Sequence, residues 1–298
     1  MTHETRPGNA ASADEQREPG SSLVARRSSL LAIGSHPDDE TMLAGGTLAW
    51  AARSGFAVHI LAVTRGEGGQ VGEPPVATRE QLGAAREAEL RCAAVALGAE
   101  GVTFLPYVDP LLDSAHDDPA RRLFRIAATP DEFARALIEA IRAVRPDVIL
   151  THGVNGEYGH PQHLYTHETA LRAFALAADP AAFPGADLGA PHAATALYTW
   201  AAHYPTGGDE HLERMLNQDD PADWLLDLAP DLLDAKERAA LCHRSQHGLF
   251  LRRRPEATVR EVLMTRESLR RAALRPGATT DPLAEALAVA PLAARAGA

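Results

Sequence analysis

Leu30-Leu31-Ala32-Ile33-Gly34-Ser35-His36-Pro37-Asp38-Asp39-Glu40 is the stretch from which the rest of the chain can be read. Leu30 to Ser35 is a short apolar run ending in small residues, the pattern of a strand buried on both faces of a parallel sheet. An imidazole and three carboxylates follow within one turn. From Glu40 to Ser54 the apolar positions Met42, Leu43, Leu48 and Trp50 fit a helix, closed by Gly55. Strand, loop and helix thus succeed one another in about twenty-five residues, with the ionisable groups at the strand's carboxyl end.

The same alternation continues outward. Ala57 to Thr64 reads as a strand, Thr78 to Leu97 as a helix ended by Gly98, and Val102 to Leu105 as a strand. Pro130 to Val144 (helix), Asp147 to Thr151 (strand), a loop from Gly153 to Gly159 and a helix from Pro161 to Ala177 complete the series. Such alternation predicts an α/β fold of Rossmann-like, three-layer type with a mostly parallel sheet. Later strands are expected at Ala194 to Trp200 and Trp224 to Leu228, with helices at Pro230 to His247 and Thr258 to Ala273. One catalytic domain over residues 28–273 is expected, between a disordered tail at 1–27 and a loose Ala- and Pro-rich tail at 274–298.

Composition narrows the function. A chain of 298 residues can bury a core without disulfides. Its two cysteines, Cys92 and Cys242, fall within expected helices and read as buried, reduced and inert, in keeping with a cytoplasmic protein. The first 22 residues show no apolar signal segment, and no apolar run approaches the roughly 18 residues of a membrane span. A net charge of −11 argues against a nucleic-acid partner. Arg252 to Arg254, the one basic run, reads as a solvated turn.

Two clusters carry chemistry. In the first, His36, Asp38, Asp39 and Glu40 crowd carboxylates that repel one another unless a cation neutralises them, although the acids could also cap a helix N-terminus. The second, Tyr158-Gly159-His160-Pro161-Gln162-His163, is followed by His167 one helical turn beyond His163. Residues four apart share a helix face, so His163 and His167 could hold a metal together, or His167 could pack behind a single ligand. A catalytic zinc site takes three protein ligands and leaves a position for water, fewer ligands than the clusters offer.

The His-Pro-Asp-Asp-Glu turn after the first strand, with the later Tyr-Gly-His-Pro-x-His, resembles the LmbE-like (PIG-L) deacetylase family. Thr64-Arg65-Gly66-Glu67, Arg86, Glu89, Lys236 and His243-Arg244-Ser245-Gln246 extend the likeness over roughly residues 29 to 250. The resemblance implies a zinc-dependent hydrolase that removes acetyl from an N-acetylglucosamine-type conjugate. It implies Zn2+ on His36, Asp39 and His163, Asp38 as general base, Tyr158 as oxyanion donor, His160 beside the leaving group, and Arg86 at the substrate. For Arg86 an ion pair with Glu89, three residues on, is the competing expectation.

One position departs from the family pattern. Gln162 stands where an Asp is usual between the two histidines, and an amide cannot raise a histidine pKa as a carboxylate does. His160 is then expected to be neutral more often, unless an acid such as Glu157 supplies the missing charge. Cleavage of a larger N-acyl group, phosphoester hydrolysis, and a non-catalytic sugar- or metal-binding role are the rival readings. A phosphoesterase would want ligands for a second metal, and a binding module has no use for the base Asp38. The glycine-rich stretch Gly66 to Gly72 lacks the Lys-Ser/Thr ending of a phosphate loop and is expected to turn closely past the pocket.

Overall fold

Strand β1 (Ser29–Gly34) is buried along its whole length. In the computed structural model, which describes residues 1, 26–110 and 129–296, it pairs in parallel with β2 (Ala57–Thr64) on one side and β4 (Val148–Thr151) on the other. Parallel pairing continues outward to β3 (Gly101–Tyr107) beyond β2 and to β5 (Ala196–Trp200) beyond β4. Three antiparallel strands then extend the β5 edge: β9 (Arg266–Leu274), β8 (Trp224–Asp227) and β10 (Ala293–Arg295). The eight strands lie in the order β10-β8-β9-β5-β4-β1-β2-β3. In its parallel part, 3-2-1-4-5, the order reverses between β1 and β4, the place where ligand crevices open in such sheets.

Alternate residues of each central strand feed two cores. Leu30, Ala32, Val58 and Ile60 pack on one face under α1 (Asp39–Arg53) and α2 (Leu82–Leu97), on which α7 (Pro230–Cys242) packs in turn. Leu31, Ile33, Leu61 and Ile149 pack on the other against α3 (Pro130–Val144) and α5 (Pro161–Leu176), which is preceded by the short turn α4 (Gly156–Gly159). This is the expected three-layer arrangement. Thr129 and Glu132 cap the start of α3 reciprocally, and Pro130 occupies its first turn, where a missing N–H costs nothing. The minor sheet pairs β6 (Ala202–His203) with β7 (Asn217–Pro221) across α6 (Glu210–Met215).

Helix α1 is broken at Ala44, whose φ of −146° is not helical. The chain can restart close to its neighbours because Gly46 has no side chain; a Cβ there would lie 2.4 Å from Leu228. The freed N–H groups of Gly46 and Thr47 donate to the Glu267 carboxylate at 2.9 and 2.6 Å. Lys236, fully buried, donates to the same carboxylate at 2.6 Å.

Four expectations require correction. The helix expected over Thr258 to Ala273 is the four-residue turn of helix α9 (Val259–Val262), followed by strand β9. Arg, Glu, Leu and Ala favour a helix locally, but pairing on both sides with β5 and β8 overrides that preference. The segment 274–298 is not a loose tail up to residue 296: α10 (Pro282–Val289) buries Leu283 and Leu287 in the first core, and β10 closes the sheet edge. Cys92 and Cys242 are joined in a disulfide, with Cα atoms 5.8 Å apart. The two cysteines, 150 residues apart in sequence, lie on α2 and at the end of the neighbouring α7, and the thiol argument for a reducing compartment falls with that bond. The helix from Pro230 ends at Cys242 and continues only as the 3-10 turn Arg244–Gln246 and the short α8 (His247–Phe250). Most of the tail expected at 1–27 lies outside the described residues. Among the described residues no helix is long and apolar enough to cross a membrane.

Candidate active site

The two clusters meet at the switch point because β1 and β4 end side by side. After β1 the chain turns through Ser35 to Asp38 and enters α1 at Asp39; after β4 it passes His152, the turn α4 and the start of α5. His36, Asp39 and His163 converge there, each buried, with one ligand atom from each within 4.8 Å of the others. Asp39 sits between the two imidazoles: its Oδ1 is 3.3 Å from His163 Nε2, and its Oδ2 is 3.4 Å from His36 Nδ1. The His36 backbone N–H donates to Asp39 Oδ2 at 2.8 Å and so fixes the carboxylate.

Hydrogen bonds behind the triad set its tautomers. The Ser35 N–H donates to His152 Nε2 at 3.0 Å, so the His152 proton is on Nδ1, which donates to Glu157 Oε2 at 2.9 Å. His163 Nδ1 donates to the same oxygen at 2.7 Å. That bond turns His163 Nε2, a buried nitrogen with no hydrogen-bond partner, towards Asp39. On His36, Nε2 is taken by Gln162 Oε1, which leaves Nδ1 towards Asp39.

Asp38 stands beside the triad in a backbone conformation that L-residues rarely adopt, with φ 116° and ψ −27°. Its N–H donates to Glu40 Oε2 at 3.3 Å, and its Oδ1 is 3.3 Å from Arg86 Nη2. Burial pushes the Asp38 carboxyl up to about 6, with Arg86 pulling the other way. Burial likewise opposes charge on Asp39, but His163 and His152 hold that carboxyl well below the usual range. Burial opposes protonation of His163 too, yet Asp39 and Glu157 carry it up to about 9. A buried carboxylate that recruits a proton onto its neighbour is a site that demands positive charge. His160 behaves oppositely: burial, then His36 and His163, push it down to about 3. Tyr158, half exposed on the turn α4, presents its ring 5.4 Å from that of His163.

Residues 31–174 match the family described as PIG-L: GlcNAc-PI de-N-acetylase. A 1D-myo-inositol 2-acetamido-2-deoxy-alpha-D-glucopyranoside deacetylase of Frankia casuarinae is 34% identical over 255 residues, which cover 75% of this chain and 81% of that protein. The chain belongs to the PIG-L family. Among solved structures, the N,N'-diacetylchitobiose deacetylase of Pyrococcus horikoshii shares the fold, with a TM-score of 0.59, 21% identity and 82% and 83% of the two chains covered. A 4-carboxy-2-hydroxymuconate hydratase of Pseudomonas putida shares it too, at 0.56, 23% identity and coverage of 85% and 100%. Since one fold carries both reactions, the sequence relatives and not the fold make this chain an N-deacetylase, a hydrolase of amide bonds.

The PIG-L site differs in several contacts from what the sequence leads one to expect. Arg86 does not pair with Glu89, which instead accepts from the N–H and Oγ of Ser245 at 2.8 and 2.7 Å. The Arg86 guanidinium donates to the carbonyls of Pro37 and Gly66 and lies against Asp38. Gly66 allows this, since a Cβ there would sit 2.2 Å from Arg86 Nη1; the glycine stretch does turn closely past the pocket. Glu157 is spent on His152 and His163 and supplies nothing to His160. His167 donates to the His152 carbonyl at 2.8 Å, behind the triad and not in it. Glu40 accepts from Asp38 and Thr41 and lies 3.6 Å from His243. Asp109, just beyond β3, escaped notice because nothing beside it in sequence marks it; it is buried 3.7 Å from His36 Nε2.

Two cavities open over the site. One, of about 390 Å³, runs from Asp38, Asp39 and His163 between apolar walls that include Met42, Leu43, Phe250 and Met264. The other is polar and is lined by His36, Arg86, Asp109, His160 and Gln246. Arg252 to Arg254 form an exposed turn, as expected, and Arg252 and Arg253 reach the rim of the first cavity.

Proposed function

We propose that this chain hydrolyses the acetamide of an N-acetylglucosamine-type conjugate, with a zinc ion held by His36 Nδ1, Asp39 Oδ1 and His163 Nε2. The observation that carries this reading is His163 Nε2, buried and without a hydrogen-bond partner while its other nitrogen is fixed by Glu157. An imidazole so oriented offers Nε2 to a cation that takes the place of its proton, and two imidazoles with one carboxylate form a donor set that suits zinc. Zinc in that place would supply a water of lowered pKa and polarise the acetyl carbonyl.

The chain's own residues do the rest. Asp38 accepts the proton of the attacking water, and its buried carboxyl, poised near 6, suits it to return that proton to the departing amine. Arg86 holds the carboxylate in place and lines the polar cavity, where sugar hydroxyls find donors and acceptors. Tyr158, held as a neutral phenol by burial and by the carboxylates of Asp39 and Asp38, donates a hydrogen bond to the oxygen that gains charge. His160, neutral in this setting, is placed to hydrogen-bond the amine and not to act as a standing cation. The substrate class follows the relatives, whose named substrate is an N-acetylglucosaminyl inositol.

A second reading, cleavage of a larger N-acyl group, draws on the apolar cavity beside Asp38, which exceeds what an acetyl methyl fills. The test is product release from N-acetyl and N-octanoyl glucosaminides before and after chelation and zinc restoration. Acetate release that disappears and returns with zinc supports the first reading; octanoate release alone supports the second; release indifferent to chelation contradicts both.

A further inference from the structure

The zinc assignment leaves one buried polar chain unused. His36 Nε2 donates to Gln162 Oε1, and Gln162 Nε2 donates in turn to Asp109 Oδ1 at 2.9 Å. Asp109 is held from the far side: its Oδ2 accepts the Gly68 N–H at 3.2 Å, and its own N–H donates to Glu67 Oε2 at 3.1 Å. Gly68 can come this close only because it lacks a Cβ, which would lie 2.3 Å from the Pro110 carbonyl. His36, Gln162 and Asp109 are each more than nine-tenths buried. Three elements far apart in sequence are thus joined: the β1 turn, the first turn of α5 and the end of β3.

We infer that Gln162 and Asp109 act in series as the positioning group for His36, an amide relay that fixes which imidazole nitrogen faces the metal. The physical reason lies in the amide. Gln162 has one acceptor oxygen and a donor nitrogen that could exchange places by a flip, and a flipped amide would present N–H groups to His36. Asp109 accepts only, so it selects the orientation in which Oε1 faces His36. An oxygen facing His36 selects the tautomer with its proton on Nε2 and its lone pair on Nδ1. At 3.7 Å from His36 Nε2 Asp109 lies beyond hydrogen-bond reach, and it therefore orients His36 through Gln162.

This inference rests on the metal assignment above and predicts more than that assignment does. Zinc affinity is measured by competition against a chromophoric chelator on metal-free full-length protein. Gln162→Ala and Asp109→Ala each weaken zinc binding by about 10–100-fold, the usual effect of removing an outer partner of a metal ligand. Because the two act in series, the double alanine variant binds within about threefold of the weaker single variant, where independent roles would multiply. The exchange Asp109→Asn with Gln162→Glu keeps every hydrogen bond: the new Glu accepts from His36 and from the Asn amide, and the Asn oxygen still accepts from Gly68. It restores affinity to within about threefold of wild type. That isosteric pair keeps the test decisive if an alanine variant fails to fold. Unchanged affinity in Gln162→Ala, multiplying losses, or an exchanged pair no better than alanine overturns the relay while leaving the zinc assignment standing. Wild type that binds no zinc overturns both.

Discussion

Replacing Lys236 with Met tests how the catalytic face of the sheet is held. Lys236 and Glu267 form an ion pair at 2.6 Å with neither side chain reaching solvent. Met removes the ammonium and its bond to the Met264 carbonyl, leaving Glu267 charged, buried and supported by the N–H groups of Gly46 and Thr47 and the Thr47 hydroxyl. Breaking a buried pair by removing one partner costs about 3–5 kcal/mol. The three remaining donors place this case near 3 kcal/mol, or about 6–12 °C in melting temperature for a domain of this size. Removing both charges, Lys236→Met with Glu267→Gln, leaves no unpaired charge and recovers to within about 1–2 kcal/mol of wild type. Urea unfolding of the metal-free proteins measures both. A single variant that loses under about 1 kcal/mol, or a double variant no more stable than the single, would refute the claim that charge compensation across the broken helix α1 holds this region.

Other outcomes follow from the same geometry. The kcat/KM of wild type falls as pH drops through the pKa of Asp38, because only the deprotonated carboxylate accepts a proton; a zinc ion bound on the proposed ligands would lower that limb below the value of about 6 given by burial. Arg86→Met removes a cation beside Asp38 and moves the limb to higher pH; superimposable pH profiles would show that Arg86 does not set the base. Tyr158→Phe lowers kcat by about 10²–10³-fold with zinc content unchanged, the size of effect seen when one oxyanion donor is lost. Cys92→Ser with Cys242→Ser lowers stability by about 2–4 kcal/mol, measured by urea unfolding against the oxidised wild type, because the bond between α2 and α7 closes a long loop.

How much was legible in the sequence depended on how local each signal was. The Leu30 to Glu40 stretch gave strand, turn and helix start because burial, the turn and the ionisable cluster are all encoded within eleven residues. His163 was legible for the same reason. Strand β9 was not, since Arg266 to Leu274 carries helix-favouring residues and becomes a strand only through distant partners in β5 and β8. Asp109 and the disulfide likewise depend on distant segments meeting. Arg86 was found but its partners were not, because helix spacing points to Glu89 while the fold brings Asp38 nearer. The departure at Gln162 was visible, but its amide turns to His36 and Asp109, and what pushes the partly buried His160 down is first its own desolvation.

The central claim, that a triad-bound zinc and the Asp38 base together hydrolyse an N-acetylglucosaminide, is tested most directly by one paired measurement. Zinc content and acetate release from N-acetylglucosaminyl inositol are measured together for wild type, Asp38→Asn and His163→Ala. The account predicts one zinc and acetate release for wild type, full zinc without release for Asp38→Asn, and neither for His163→Ala. Acetate release by Asp38→Asn at the wild-type rate, or full zinc in His163→Ala, would contradict it.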